Sequence, residues 1–227
     1  MKLSIIIPVF NEEKTIEILL KKILRLKIDS WKREIVVIDD CSTDGTTELL
    51  AKYQSKVTLV RHALNMGKTE AIKTGLKKAT GEYVIIQDAD LEYDPSDITK
   101  MLAVAKIYPD YVIYGSRFRG IHQDSVFGHK AANLILTFIT NILYGTTLSD
   151  METCYKLVPR KYLQNIKIET NRFAFEPEIT AKLLRRNCKI MEVPIRYKKR
   201  GFSAGKKMRW YDGFSAIGTL IKYRYFT

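Results

Sequence analysis

A mostly parallel α/β sheet with helices on both faces is the fold this chain predicts, on three observations. Strand-like and helix-like segments alternate through the first half, which is the pattern of repeated β-α units. The strand-like runs, Lys2–Val9 and Glu34–Ile38 among them, are nearly continuous in apolar residues, as strands covered on both faces are. The polar residues that interrupt the pattern fall where each strand gives way to a helix. That is the edge at which open α/β sheets bind ligands.

The elements follow in order. Lys2–Val9 is a β-branched run. Glu13–Leu26 carries Ile16, Leu19, Leu20, Ile23 and Leu24 at helical spacing. Glu34–Ile38 is a second strand, and Thr43–Tyr53 a helix with Ser42 or Thr43 as its N-cap. Val57–Val60, the helix Lys68–Lys78 and the strand Tyr83–Gln87 come next, with Gly81 closing the helix. Pro95 sits near the first turn of a helix reaching Ile107, where proline is tolerated, and Tyr111–Tyr114 is a fifth strand. The second half is less regular. His129–Tyr144 reads as an amphipathic surface helix and Phe175–Arg186 as a further helix. Pro194 confines Lys189–Tyr197 to a sheet edge, and Lys198–Arg209 is a basic loop.

A chain of 227 residues, 46% hydrophobic, supports one core and one domain. We assign residues 1–209 to that domain and 210–227 to a basic, aromatic, amphipathic tail. Three scattered cysteines, Cys41, Cys154 and Cys188, fit a reduced compartment and buried packing roles. The opening apolar run is too short for a signal peptide, and no window holds about 18 unbroken apolar residues, so the expectation is a cytoplasmic protein without a membrane span. Its net charge of +13 is lopsided. Residues 182–227 carry +11, interleaved with Trp210, Tyr211, Phe214, Tyr223, Tyr225 and Phe226. Basic and aromatic residues together suit an anionic membrane surface. A nucleic acid is the competing partner, but it leaves the acidic strand-end loops unexplained, so none is expected.

The most informative of those loops is Asp88-Ala89-Asp90. In an extended backbone, residues two apart point the same way, so both carboxylates converge at a strand end. Such a pair calls for a cation, and a hard divalent ion, Mg2+ or Mn2+, suits oxygen ligands completed by phosphate. The short motif alone is weak evidence. It gains weight from Pro8-Val9-Phe10-Asn11-Glu12, Asp39-Asp40-Cys41-Ser42-Thr43-Asp44-Gly45-Thr46, Asn65-Met66-Gly67-Lys68 and Gly115-Ser116-Arg117, in this order.

This set resembles family 2 glycosyltransferases of the GT-A fold. The segments 150–156, 173–178 and 200–206 are similar to the dolichol-phosphate mannose synthase and polyprenyl-phosphate glycosyltransferase branch. The resemblance implies an inverting transfer of a hexose, mannose or glucose, from a GDP- or UDP-sugar to a polyprenyl phosphate. It implies that Asp39 accepts hydrogen bonds from the nucleobase, in a pocket lined by Pro8, Phe10, Glu12 and Val37. Asp88, Asp90 and Glu92 would hold the metal, with Ala89 beside the donor, although the family often has Gln where Glu92 stands. Arg117 would grip a donor phosphate, and Arg200 and Lys206 would close over the phosphates from the basic loop. Glu176 or Glu178 would face the donor sugar, Glu178 matching the family position better. A polyprenyl phosphate is already anionic and needs no base. A sugar hydroxyl, the alternative acceptor, would need one, and Asp150 is the candidate. The implied place of work is the cytoplasmic face of a membrane, with the tail lying in the interface.

Overall fold

The computed structural model describes residues 1–28, 30–119, 122–123, 127–170, 174–199 and 210–226. Lys2–Val9 forms strand β1, followed by helix α1 (Ile16–Leu24), β2 (Lys32–Asp39), α2 (Thr46–Ala51), β3 (Thr58–Arg61), α3 (Lys68–Lys78), β4 (Tyr83–Ile86), α4 (Asp97–Ile107) and β5 (Val112–Ser116). This is the expected alternation. One start differs: α2 begins at Thr46 with Gly45 as its N-cap, because Ser42 and Thr43 are taken up in stitching the neighbouring loops.

Beyond β5 come the short strand β6 (His122–Gln123), α5 (Phe127–Tyr144), β7 (Lys156–Pro159), α6 (Arg160–Leu163), α7 (Phe175–Arg185), β8 (Ile190–Pro194), β9 (Tyr197–Lys198) and α8 (Trp210–Tyr225). Seven strands make one sheet in the order β3-β2-β1-β4-β7-β5-β8. Six run parallel, and β7 runs antiparallel between β4 and β5. The sequence reading missed β7. It is four residues long, begins with a buried lysine and ends on a proline, so it carries no strand-like pattern of its own. Pro194 does lie on the edge strand, at the end of β8.

Both faces of the sheet are covered. Ile6, Val36, Ile38 and Val84 meet Ala71 and Ala79 at α3. There Gly75 allows a close approach, since a Cβ on it would stand 2.4 Å from Ile6 Cγ2. Leu3, Ile5, Ile7, Ile35 and Val37 face the other way and pack with Ile16, Leu19, Leu20 and Leu50 of α1 and α2. Alternate residues of one strand thus serve two layers, which explains the unbroken apolar runs. In the segment assigned to the tail, α8 buries Ala216, Leu220 and Tyr223 in the main core, and Tyr144 of α5 donates to the Leu220 carbonyl at 2.7 Å. No helix among the described residues is long and apolar enough to cross a membrane.

Candidate active site at the carboxyl edge of the sheet

The parallel strands deliver the loops 10–12, 39–45, 88–92 and 115–117 to one edge. Three of these loops hold a non-glycine residue in the left-handed region: Asn11 at φ 54°, Cys41 at 64° and Leu91 at 62°. Such conformations cost about 1–3 kcal/mol each and gather at functional sites. Leu91, between Asp90 and Glu92, has no polar side chain to ease the turn.

The β1 and β2 loops are laced together. Asn11 N donates to Ser42 Oγ at 3.1 Å and Glu12 N to Thr46 Oγ1 at 2.8 Å. Asp39 is 1% exposed, and its two carboxylate oxygens accept from Ser42 N at 2.9 Å and Thr47 Oγ1 at 2.7 Å, with Arg61 Nε at 3.5 Å. It orders this loop from beneath. Of the four residues expected to line a base pocket, Pro8 and Val37 are buried, Val37 in the core under the site. Phe10 is exposed, and Glu12 accepts from Thr15 Oγ1 at 2.6 Å.

At the end of β4, Gln87 Nε2 donates to the Asp88 carbonyl at 3.0 Å, and Ala89 is buried behind the acidic pair. Asp88 Oδ1 lies 2.7 Å from Lys68 Nζ, and the same ammonium is 3.6 Å from Glu176 Oε1. Lys68 opens α3 directly after Gly67. At φ 90°, Gly67 turns the chain so that its own amide and that of Met66 donate to Asp40 at 2.7 and 2.9 Å. The sequence reading noted Lys68 within Asn65-Met66-Gly67-Lys68 but not its shared position between two acids. The available signal was a lysine at the first position of a helix following Asn65-Met66-Gly67. Asp90 Oδ1 accepts from Glu92 N at 3.1 Å, but the Glu92 carboxylate turns away to accept from Tyr197 OH at 2.6 Å. Among the described residues, no three His, Cys, Asp or Glu side chains gather as a ligand set. The oxygen donors of Asp88 and Asp90 suit a hard divalent ion whose remaining ligands come from a diphosphate.

Arg117 leaves β5 and clamps Asp150. Its backbone N and Nε both reach Oδ2 at 2.8 Å, and Nη2 reaches Oδ1 at 2.7 Å. Asp150 is wholly buried, and both side chains serve this clamp. Glu192 fixes the same corner through Ser149 N and Asp150 N, at 2.8 and 3.0 Å. Glu178 is the other acid of α7 singled out in the sequence. Fully buried, it accepts from Glu169 N, Thr170 N and Tyr223 OH at 2.7, 2.8 and 2.9 Å, and it pairs with Lys182. Glu176 is the acid that faces Lys68. Arg200 and Lys206 lie outside the described residues.

Behind Glu176 sits Glu152, 8% exposed, with Oε1 buried and unpartnered among the described residues. Burial, reinforced by the charge of Glu176, pushes its carboxyl up to about 7 against the pull of Lys156 and Arg117. A folded-state value above the ordinary 4.5 means that folding disfavours the ionised form. Wild-type stability therefore falls as pH rises from about 4.5 through about 7. Glu152→Gln should match wild type near pH 4.5 and exceed it by up to about 3 kcal/mol above pH 8. Urea unfolding at both pH values checks this, and a gap that does not change with pH would refute it.

The sequence matches the model of the family described as "Glycosyl transferase family 2" over residues 4–167. The chain belongs to glycosyl transferase family 2. As a family 2 glycosyltransferase it is 28% identical over 210 residues to the undecaprenyl-phosphate 4-deoxy-4-formamido-L-arabinose transferase of Yersinia enterocolitica, covering 90% of this chain and 62% of that protein. The chain thus spans somewhat under two thirds of that curated relative. An uncharacterised protein of Methanocaldococcus jannaschii is 29% identical over 212 residues, covering 87% of this chain and 90% of the other. Among solved structures, glucosyl-3-phosphoglycerate synthase from Mycobacterium tuberculosis, in complex with Mn2+, UDP and phosphoglyceric acid, superposes with a TM-score of 0.74 at 18% identity. That match covers all of this chain and 79% of the other, and it shares the fold of this family 2 glycosyltransferase.

Proposed function

We propose that this glycosyltransferase moves a sugar from a GDP- or UDP-linked donor to a polyprenyl phosphate at a membrane surface, with a divalent cation held by Asp88 and Asp90. The observation that carries the reading is the Asp88-Ala89-Asp90 loop at the carboxyl edge of the sheet, with Asp88 2.7 Å from Lys68. The likeness to an undecaprenyl-phosphate sugar transferase supports the acceptor, and the Mn2+ and UDP bound by the mycobacterial synthase support the donor and metal. When bound, the cation would neutralise charge on the departing nucleoside diphosphate. Lys68 lies close enough to contribute positive charge to the same end of the site.

A phosphate acceptor needs positioning rather than a base. That agrees with Asp150 being enclosed by Arg117. A lipid acceptor also gives a role to the outer face of α5 and α8. Ile135, Phe138 and Ile142 of α5, with Phe214 and Tyr225 of α8, are 57–67% exposed. So broad an apolar face beside Lys222 and Arg224 suits a helix pair lying in the lipid interface.

The test is a donor panel: GDP-mannose, UDP-glucose, other GDP- and UDP-sugars and a UDP-linked 4-formamido-arabinose, with Mn2+ or Mg2+. Polyprenyl phosphate is supplied in anionic vesicles or withheld. Lipid-dependent release of one nucleoside diphosphate, by enzyme that sediments with the vesicles, is the expected result. Asp90→Asn should lower that turnover at least about a hundredfold while leaving the fold intact. Full activity in Asp90→Asn, or nucleotide release indifferent to lipid, would overturn the reading.

A further inference from the structure

We infer that Lys68 is an internal counter-ion that a divalent cation must displace from Asp88, and that Glu176 receives it. The inference rests on the metal reading of Asp88 and Asp90 and adds a residue exchange to it.

Three geometric facts lead there. The Lys68 ammonium sits 2.7 Å from Asp88 Oδ1, so close that a dication on this oxygen would meet a third positive charge at contact distance. Unscreened like charges in a half-buried site repel strongly, so both cannot stay. The same ammonium is 3.6 Å from Glu176 Oε1, so a movement of about 1 Å converts a loose approach into a full ion pair. Both carboxylates are mostly enclosed, at 19% and 14% side-chain exposure, so neither is left to bulk water when the ammonium changes sides. The backbone need not move, because the Lys68 end of α3 is pinned by the amides of Met66 and Gly67 on Asp40.

Each acid therefore has its own part. Asp88 alternates between ammonium and metal. Glu176 makes the alternation possible, since without it the displaced ammonium would be stranded in the site. With a cation bound, Lys68 would pair with Glu176 and act as a positioning residue, lending its charge to the diphosphate end of the site. With the cation gone, it returns to Asp88 and keeps the acidic pair from repelling itself apart.

The exchange predicts opposite signs for two neutralising substitutions. Lys68→Met keeps the stem and removes the competitor, so it should tighten Mn2+ binding about five- to tenfold. Glu176→Gln removes the receiving partner and should weaken Mn2+ binding by a similar factor. Purified full-length proteins are titrated with Mn2+ alone, and again with GDP or UDP present, following free Mn2+ by electron paramagnetic resonance. Tighter binding in Lys68→Met together with weaker binding in Glu176→Gln is the expected result. Equal affinity in wild type and both variants, or weaker binding in Lys68→Met, overturns the exchange while leaving the metal site standing. If Lys68→Met does not fold without metal, Glu176→Gln decides: unchanged or tighter Mn2+ binding there overturns the exchange. If no protein takes up Mn2+ under any condition, the metal reading falls and the exchange with it.

Discussion

Arg117→Met should lower the unfolding free energy by about 3–5 kcal/mol, because it leaves Asp150 ionised, buried and without its clamp. For a chain of this length that corresponds to roughly 10 °C in the melting temperature. The size of the effect follows from geometry. The substitution removes both guanidinium bonds to Asp150 and leaves only the backbone amide of residue 117, and the Asp150 side chain has no solvent exposure to fall back on. Adding Asp150→Asn to Arg117→Met should recover part of the loss, since an amide carries no charge to strand. A single variant as stable as wild type would show that the pair contributes nothing. Asp150→Asn alone separates clamp from base. A clamp predicts lower stability with an unchanged pH-rate profile in whatever activity remains. A base predicts a folded enzyme that has lost the acidic limb of that profile.

Glu178→Ala should cost a similar amount, about 3–5 kcal/mol, and it should act at a distance by loosening α8. Glu178 joins three parts of the chain: the amides of Glu169 and Thr170, Lys182 on its own helix, and Tyr223 on α8. Burial opposes its ionisation, but Lys182, Thr170 and the two amides together hold the carboxyl below the usual 4.5. A carboxyl lowered on folding stabilises the protein fully above about pH 4.5, and that contribution is lost as pH falls through the folded value. Protection of the α8 amides, measured against the intrinsic exchange rate at each pH, should therefore fall in wild type as pH drops below 4.5 and should already be low at pH 7 in Glu178→Ala. Unaltered protection of α8 in the variant would show that the helix is held by its apolar face alone.

The first half of the fold was legible because β1 and β2 are long and apolar, and the shorter β3 and β4 follow them in regular alternation with helices through local connections. β7 was not, because its identity as a strand comes from the two neighbours it joins rather than from its own residues. The location of the site was legible for a related reason: parallel strands bring their carboxyl ends to one edge, whichever residues stand there. Partners were another matter. Arg117 meets Asp150 across 33 residues and Glu92 meets Tyr197 across 105, and no local pattern announces such pairings. Asp39, Asp150 and Glu178 were singled out for their chemistry. Their surroundings supply protein donors for the same chemistry, and only the packed chain displays those donors.

The placement of β7 bears on how the protein is made. Among the described residues, β5 and β8 are hydrogen-bonded to the first four strands only through these four residues. During synthesis the segment up to α4 can gather its layers early from near neighbours, whereas β5 waits, edge unpaired, for some forty residues to follow. The sheet closes like a zip fastened from the middle. The same closing stroke carries the 149–154 corner against the β4 loop, where Cys154 Sγ meets the Ile86 carbonyl at 3.9 Å and its amide meets Tyr93 OH at 3.1 Å. In a nascent chain the acidic pair and Lys68 therefore belong to the part that gathers early, and the 149–154 corner reaches them only when β7 is made.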